Sequence, residues 1–207
     1  MTKSTSGDGP ELWLLAAGAQ TRMPHSRLPK CLSRLPGRET ILSRLLRQAR
    51  ARGIMRHCMV VSDYWPAAYV ARLSSLYCVS VVERDRPIGT SVEVALDPRC
   101  ECRAELHAHS SNAIVMAADT VLSEQAATCL FAANQYIDGD VTAFDPWAWI
   151  TVRYVAGSRR REAASECFAD SNRIVGSGRI LLRLDGAVNV NTAATLKRAR
   201  TLVRGDS

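Results

Sequence analysis

The feature that most constrains the fold is a short apolar segment near the start of the chain, ELWLLAAGA at residues 11–19. A continuous apolar run without polar alternation is typical of a strand that is covered on both faces of a parallel sheet. Parallel neighbours are joined by crossover connections, which are usually helices. The segment therefore predicts the first strand of an α/β domain, and Gly18 predicts that this strand runs into a loop.

The residues after this strand predict a long loop and then a crossover helix. Three prolines and a glycine between residues 24 and 37 exclude regular helix or strand up to about residue 38. Thr40 can cap a helix with helically spaced apolar positions, and Gly53 can end it. Most of the arginines of this helix are expected on its outer side: Arg44, Arg47, Arg50 and Arg52.

Strand and helix patterns alternate through the rest of the first 135 residues and become less regular afterwards. Strands are predicted at residues 57–62, 79–82, 112–117, 141–144, 150–155 and 180–184. Helices are predicted at residues 65–76, just after Gly89, and at residues 123–135 and 192–203. This order predicts an α/β fold, a Rossmann-like three-layer sandwich with a mixed, mostly parallel central sheet. Ligands of such sheets bind at the carboxyl ends of the strands.

The length of 207 residues, 47% of them apolar, is enough for one buried core. We expect a single domain over residues 11–207. The small polar residues 1–10 are expected to be poorly ordered. The chain shows neither a signal segment nor a membrane-length apolar run, so we expect a cytoplasmic protein.

The net charge of +7 is compatible with an anionic partner such as a phosphate, a nucleic acid or a membrane surface. All bases but three are arginines, and they are spread over several segments, so the charge also reflects an arginine bias. Residues 159–161 form the one run of three and are read as a solvated face. No interleaving of aromatic and basic residues supports nucleic-acid binding. Neither nucleic acid nor membrane is therefore expected as a partner.

The seven cysteines do not form a recognisable disulfide or zinc pattern, because their number is odd and no CxxC spacing occurs. Cys58 and Cys78 lie in or beside predicted strands, where a free cysteine behaves as a small hydrophobic residue. We expect both to be reduced. The set formed by Cys100, Cys102, His107 and His109 matches no standard zinc spacing, so a metal cluster there is disfavoured.

The strongest motif follows the first strand, where small residues are succeeded by two bases. Its members are Leu15, Ala16, Ala17, Gly18, Ala19, Gln20 and Thr21, then Arg22 and Lys30. A small-residue turn lets backbone N–H groups approach phosphate oxygens, while Arg22 and Lys30 can neutralise a triphosphate. Arginine offers a planar fork for the β- and γ-phosphates, and lysine a compact charge for the α-phosphate.

LAAGAQTRM followed by LPKCL resembles the nucleotidyltransferases with a glycosyltransferase-A-like fold. The resemblance covers most of residues 11–203. This superfamily includes sugar-phosphate, phosphocholine and phosphonate nucleotidylyltransferases and the molybdenum-cofactor guanylyl- and cytidylyltransferases. The resemblance implies transfer of a nucleoside monophosphate from a nucleoside triphosphate to a phosphorylated acceptor, with Mg²⁺ as cofactor and pyrophosphate released. Gln20 departs from the pattern, which has a second glycine there.

Later segments match the superfamily in order. Gly89, Thr90 and Ser91 resemble the segment that meets the nucleobase. Asp119 resembles the metal-binding aspartate, with Ala118 where glycine is common; its alternative role is to cap the next helix.

Residues 188–192, Val-Asn-Val-Asn-Thr, resemble the NINTPEDL ending of the molybdenum-cofactor branch. The resemblance places Asn189 or Asn191 at a second metal ligand. The usual Pro-Glu-Asp that follows is missing. A simple helix N-cap is the alternative for these residues.

The acceptor is expected to contact the later half of the chain, where Arg153, Arg173 and Arg179 are candidates and solvent-facing arginines are the alternative. The resemblance favours a phosphorylated alcohol, sugar or phosphonate, with CTP weakly preferred as nucleotide. A molybdenum-cofactor guanylyl- or cytidylyltransferase-like enzyme is one alternative. A non-catalytic nucleotide-binding protein is another, and a homodimer is left open.

Overall fold

The computed structural model describes residues 11–18, 28–83, 113–136, 141–144, 153–154 and 180–206. The strands are β1 (Glu11–Ala16), β2 (Arg56–Ser62), β3 (Cys78–Val82), β4 (Ala113–Ala117), β5 (Thr120–Leu122), β6 (Val141–Phe144), β7 (Arg153–Tyr154), β8 (Ile180–Arg183) and β9 (Ala187–Asn189). The helices are α1 (Ile41–Arg50), α2 (Ala67–Ser74), α3 (Glu124–Tyr136) and α4 (Ala193–Gly205). Two 3₁₀ turns, Lys30–Leu32 and Pro36–Arg38, lie in the loop before α1.

The central sheet has five strands in the order β3-β2-β1-β4-β7. All its pairs are parallel except β4 with β7, which is antiparallel. β1 lies in the middle, so that Leu15 is in register with both Val60 and Ala117. The prediction of a mixed, mostly parallel sheet is confirmed, and the carboxyl ends of β1 and β4 meet at one edge.

Side chains of β1 point alternately into two buried clusters on opposite faces of the sheet. Leu12 and Leu14 belong to the larger cluster, which α1, α3 and α4 also line. Trp13 and Leu15 belong to a second cluster with apolar side chains of β2, β3 and β4. Burial on both faces explains why this strand reads as a continuous apolar run.

Local sequence accounts for both ends of α1. The Thr40 side chain accepts from the Ser43 backbone N–H, while the Ser43 hydroxyl accepts from the Thr40 N–H, forming a capping box. Gly53 then adopts φ +81°, a left-handed conformation that glycine tolerates best. One expectation fails within the helix: Arg44 is buried with 4% of its surface exposed, because three carboxylates surround it.

The pair of short strands β5 and β9 was not predicted from the sequence. β5 follows Asp119 directly and pairs antiparallel with β9, with Thr120 in register with Asn189. Each strand has three residues, which is too short for a period-two pattern to appear. The turn before β9 is also anchored to the residue that precedes α3, because the Ser123 N–H donates to the Gly186 carbonyl at 2.7 Å.

The cysteine prediction is half correct. Cys58 is a buried thiol that forms no disulfide, as expected. Cys78 is disulfide-bonded instead of reduced, and its partner lies outside the described residues. Cys31 and Cys129 are free, and the pair Cys100 and Cys102 falls outside the described part of the chain.

Several other predictions also fall on residues that the structure does not describe. They concern the order of residues 1–10, residues 19–27 of the basic loop after Gly18 and the helix after Gly89. Within the described ranges, no helix is both long and apolar enough to cross a bilayer.

Candidate active site

The end of β1 presents backbone rather than side chains. Leu15 and Ala17 are buried in the core and Ala16 is partly buried, whereas Gly18 is exposed. The Leu15 carbonyl accepts from the Ala118 N–H at 2.9 Å, which joins this end to the segment after β4. A ligand reaching this edge would therefore meet main-chain groups, as a phosphate-binding turn requires.

Trp65, which the sequence analysis did not single out, fixes the same strand end. Its indole Nε1 donates to the Ala16 carbonyl at 3.1 Å, and the ring is 4% exposed. No sequence signal points to this role, because a tryptophan between a strand and a helix is usually a core residue. The bond helps to hold the backbone at the point where the small-residue turn begins.

Lys30 lies at this edge in a short turn that is anchored in the core. It begins a 3₁₀ turn in which the Leu32 N–H donates to the Pro29 carbonyl and the Ser33 N–H to the Lys30 carbonyl. The neighbouring Cys31 is buried and anchors the turn in the core. Burial, reinforced by the charge of Asp119, raises the pKa of the Cys31 thiol, so it stays protonated.

The Lys30 ammonium meets two oxygen atoms from distant parts of the chain. Its Nζ donates to Asn191 Oδ1 at 3.2 Å and lies 3.8 Å from Asp119 Oδ2. The Lys30 and Asp119 side chains are 12% and 21% exposed, so the ion pair is partly screened from water. The geometry brings together three of the residues that the sequence singled out.

Asp119 occupies the two-residue turn between β4 and β5. Burial raises the pKa of its carboxyl, and the nearby Lys30 charge opposes that shift. Asp119 does not cap α3, because the Ser123 hydroxyl accepts from the Ala126 N–H at 3.1 Å. The helix-cap alternative for Asp119 is therefore wrong, and its carboxylate is directed at Lys30.

The two asparagines have different surroundings. Asn191 Nδ2 donates to Asn189 Oδ1 at 3.0 Å, which leaves Asn191 Oδ1 to accept from Lys30. Thr192 caps α4, in a capping box with Thr195. Asn191 supplies only its backbone N–H to that cap, donating to Thr195 Oγ1 at 2.9 Å. The cap thus belongs to Thr192, and the Asn191 side chain stays directed at Lys30.

The oxygens around the Lys30 ammonium are of the kind that bind a hard divalent cation. The described residues contain no group of three or more His, Cys, Asp or Glu side chains placed to bind a metal. Asp119 supplies one carboxylate, and Asn191 supplies an amide oxygen. Magnesium commonly takes one or two carboxylates and completes its shell with water and substrate phosphates. The donor set therefore suits a hard divalent cation whose remaining ligands are water or phosphate oxygens.

The structure does not describe the side chains of the remaining predicted site residues. Arg153 begins β7, whose backbone pairs with β4 opposite Val115. The others lie outside the described residues: Ala19, Gln20, Thr21, Arg22, Gly89, Thr90, Ser91, Arg173 and Arg179.

Several solved structures share this fold at low sequence identity, among them a thymidylyltransferase and a CTP transferase, so the resemblance seen in the sequence is confirmed at the level of the fold. Rv0371c from Mycobacterium tuberculosis H37Rv is 21% identical, with a TM-score of 0.65 over 93% of this chain and 98% of that one. A second structure of Rv0371C is a complex with manganese, at 19% identity, a TM-score of 0.60 and coverages of 94% and 98%.

Two further likenesses come from enzymes with named substrates. A putative glucose-1-phosphate thymidylyltransferase from Bacillus anthracis is 11% identical, with a TM-score of 0.65 and 95% of each chain covered. The inositol-1-phosphate CTP transferase from T. maritima is 15% identical, with a TM-score of 0.62 and 95% of each chain covered. No protein-family model and no curated protein sequence matches this chain. At these identities, the likeness establishes the fold.

Proposed function

We propose that this protein is a nucleotidyltransferase that transfers a nucleoside monophosphate from a nucleoside triphosphate to a phosphorylated small molecule. The observation that carries the proposal is the convergence of Lys30, Asp119 and Asn191 at the carboxyl edge of the sheet. The same edge ends in exposed backbone at Gly18. A cation, oxygen ligands and open main chain are the groups that a triphosphate needs.

The reaction requires positioning and charge neutralisation more than a protein nucleophile. An oxygen of the acceptor phosphate attacks the α-phosphorus and forms a new P–O bond. The bond from the α-phosphorus to the bridging oxygen breaks, and its electron pair leaves with pyrophosphate. Both reactants are anions, so a lysine at the α-phosphate lowers the barrier by stabilising charge in the transition state. Lys30 fits this role because its ammonium is held at the site by ion pairing.

Asp119 and Asn191 would hold magnesium beside the triphosphate. Magnesium bound there would neutralise phosphate charge and orient the leaving pyrophosphate. Asn189 would orient the side chain of Asn191, because Asn189 Oδ1 accepts a hydrogen bond from the Asn191 amide and so keeps the Asn191 oxygen facing the site. Lys30 pairs with Asp119 in the structure and would turn to the α-phosphate when the substrate is bound.

The sequence resemblance supplies the rest of the proposed site. Arg22 would bind the β- and γ-phosphates, the backbone of residues 15–21 would cradle them, and residues 89–91 would meet the nucleobase. The acceptor's anionic group would be bound by arginines of the later half: Arg153, Arg173 and Arg179. CTP is the preferred first nucleotide, and a phosphorylated alcohol, sugar phosphate or phosphonate is the preferred acceptor class.

The test is a screen of the four nucleoside triphosphates, with magnesium, against a panel of phosphorylated acceptors, read by pyrophosphate release. We expect release that depends on both the nucleotide and an acceptor. The Lys30→Ala variant is the control for a contaminating activity. Triphosphate binding without any pyrophosphate release would instead indicate a non-catalytic nucleotide-binding protein. Release only with a molybdopterin acceptor would move the protein to the molybdenum-cofactor alternative.

A further inference from the structure

Arg44 is a buried arginine outside the proposed site, and its guanidinium joins three segments of the chain. Its side chain is 5% exposed. Nε donates to the Leu122 carbonyl at 3.2 Å, and Nη2 donates to Asp206 Oδ2. Nη1 lies 3.6 Å from Glu39 Oε2, and Nη2 lies 3.5 Å from Glu124 Oε1. A single planar guanidinium thus donates hydrogen bonds to one carbonyl and one carboxylate and lies within ion-pair distance of two further carboxylates.

Two of these partners lie on the segments that carry the proposed metal ligands. Leu122 is the last residue of β5, and β5 begins directly after Asp119. Gln48, one turn beyond Arg44, also donates to the Leu122 carbonyl at 3.2 Å. The contact therefore fixes the far end of a strand of three residues whose near end presents the Asp119 carboxylate.

The second segment is α4, which links Asp206 to Asn191. Asp206 is its C-cap, and Asn191 lies just before its N-cap, Thr192. A helix of 13 residues spans about 20 Å and connects these two ends through continuous backbone hydrogen bonds. Asp206 is held from a second direction, because its Oδ2 also accepts from the Glu124 N–H at 3.3 Å. A contact at this end therefore restrains the direction in which Asn191 points.

We propose that Arg44 is a positioning residue for the metal site, which rests on the proposed function for what that site binds. By holding Leu122 and Asp206 together, Arg44 sets the separation between the Asp119 carboxylate and the Asn191 amide oxygen. β5 and β9 reinforce the same spacing, since the Val190 N–H donates to the Asp119 carbonyl at 2.9 Å. Arg44 itself does not touch a substrate or a metal in this role.

Arg44→Lys tests the proposal because it keeps the charge and removes the fork. A lysine ammonium is a point charge and cannot satisfy the Leu122 carbonyl and the separated carboxylates with the same geometry. Arg47→Lys is the matched control. Arg47 lies on the same helix and binds Glu39 and Glu124 through Nε and Nη2, but its side chain is 47% exposed.

Two measurements separate positioning from general loss of structure. The first is Mn²⁺ binding to the nucleotide-free protein, followed by the electron paramagnetic resonance of the free ion. The second is the Mg²⁺ concentration at half-maximal pyrophosphate release. We expect Arg44→Lys to weaken Mn²⁺ binding and to raise the Mg²⁺ requirement by roughly tenfold, as for other residues that orient metal ligands. Saturating Mg²⁺ should restore most of the turnover, and Arg47→Lys should change both values by less than about twofold.

Circular dichroism and thermal melting identify the folded variants. If Arg44→Lys does not fold, Asp206→Asn removes the charge at the other end of the same contact and should shift the Mn²⁺ affinity in the same direction. A folded variant with wild-type Mn²⁺ affinity would overturn the proposal, as would a wild-type protein that does not bind Mn²⁺. Normal Mn²⁺ binding that weakens in Arg44→Lys, without any pyrophosphate release by the wild type, would refute the enzymatic function and leave the positioning role standing.

Discussion

Lys30 Nζ lies 3.8 Å from Asp119 Oδ2, although one residue follows β1 and the other follows β4. Burial raises the pKa of Asp119, and the Lys30 charge opposes this. The two groups therefore depend on each other: each supplies the counter-charge that makes partial burial of the other tolerable. In the proposed reaction, the same proximity places a cation and a metal ligand beside the same phosphate.

Replacing Lys30 by alanine is expected to lower turnover by roughly 100-fold or more, because a charge that stabilises the transition state is removed. The fold should survive, since the turn is anchored by Cys31 and by backbone hydrogen bonds. Steady-state pyrophosphate release measures the effect. Lys197→Ala, on the exposed face of α4, is the control and should behave as wild type. Turnover of Lys30→Ala within about threefold of wild type would refute the assignment.

Asp119→Asn is expected to raise the Mg²⁺ concentration needed for half-maximal activity by roughly tenfold or more. Asparagine keeps the size of the side chain but removes the negative charge of the metal ligand. A Mg²⁺ titration of the rate gives the value. Asp185→Asn removes an aspartate whose side chain is 84% exposed and should leave the titration unchanged. An unchanged titration in Asp119→Asn would mean that Asp119 does not bind the metal.

Gln20 lies outside the described residues, so a prediction about it rests on the sequence. We expect Gln20→Gly to weaken triphosphate binding, because a hydrogen bond from the amide to a phosphate or acceptor oxygen is worth about 0.5–3 kcal/mol. Glycine would also loosen the free loop, at up to ~1 kcal/mol. Equilibrium titration with a non-hydrolysable triphosphate, together with turnover, measures both effects. Tighter binding and faster turnover would show instead that the Gln20 side chain obstructs the turn.

Gly186 is expected to tolerate no side chain. It adopts φ +93°, and an added Cβ would lie 2.5 Å from Ser123 Oγ, the group that caps α3. Gly186→Ala should therefore lower the free energy of unfolding by about 1–3 kcal/mol, measured by urea denaturation. Gly205→Ala is the matched control, because an added Cβ there meets nothing within 4 Å. It should be neutral or stabilising by up to about 1 kcal/mol, and equal effects of the two substitutions would contradict the reading of Gly186.

His57 is expected to make the protein less stable in mild acid. Burial, and then the charge of Arg50, lowers the pKa of His57 from 6.5 to about 4. The unfolded chain therefore binds a proton on this group below about pH 6.5 while the folded chain does not, so stability falls as the pH drops from there toward 4. The loss from this group is about 2 kcal/mol at about pH 5.

His57→Phe tests this linkage and keeps the edge-on packing against Tyr77, whose ring centroid lies 5.9 Å from that of His57. Urea denaturation at about pH 7.5 and about pH 5 gives the two free energies of unfolding. The variant should lose about 2 kcal/mol less than the wild type between these conditions. The same loss in both proteins would show that another group is responsible.

The sequence by itself determined the regular elements with strong patterns. The apolar run of β1 required cover on both faces, and the structure provides two clusters for it. Thr40 and Gly53 defined the ends of the helical region because a capping hydroxyl and a left-handed glycine act within a few residues. The sequence also singled out Lys30, Asp119 and the asparagine pair, through the spacing of motifs that resemble a known superfamily.

Only the tertiary structure decided how these residues are used. It separated Asn191 from Asn189 and gave the α3 cap to Ser123, because contacts between distant segments set the direction of each side chain. It also buried Arg44, which shares helical spacing with Ile41, Leu45 and Gln48, a pattern that the charge of arginine obscures in the sequence. Whether an arginine at such a position faces water or the interior depends on its carboxylate partners, and here Glu39, Glu124 and Asp206 come together only when the chain has folded.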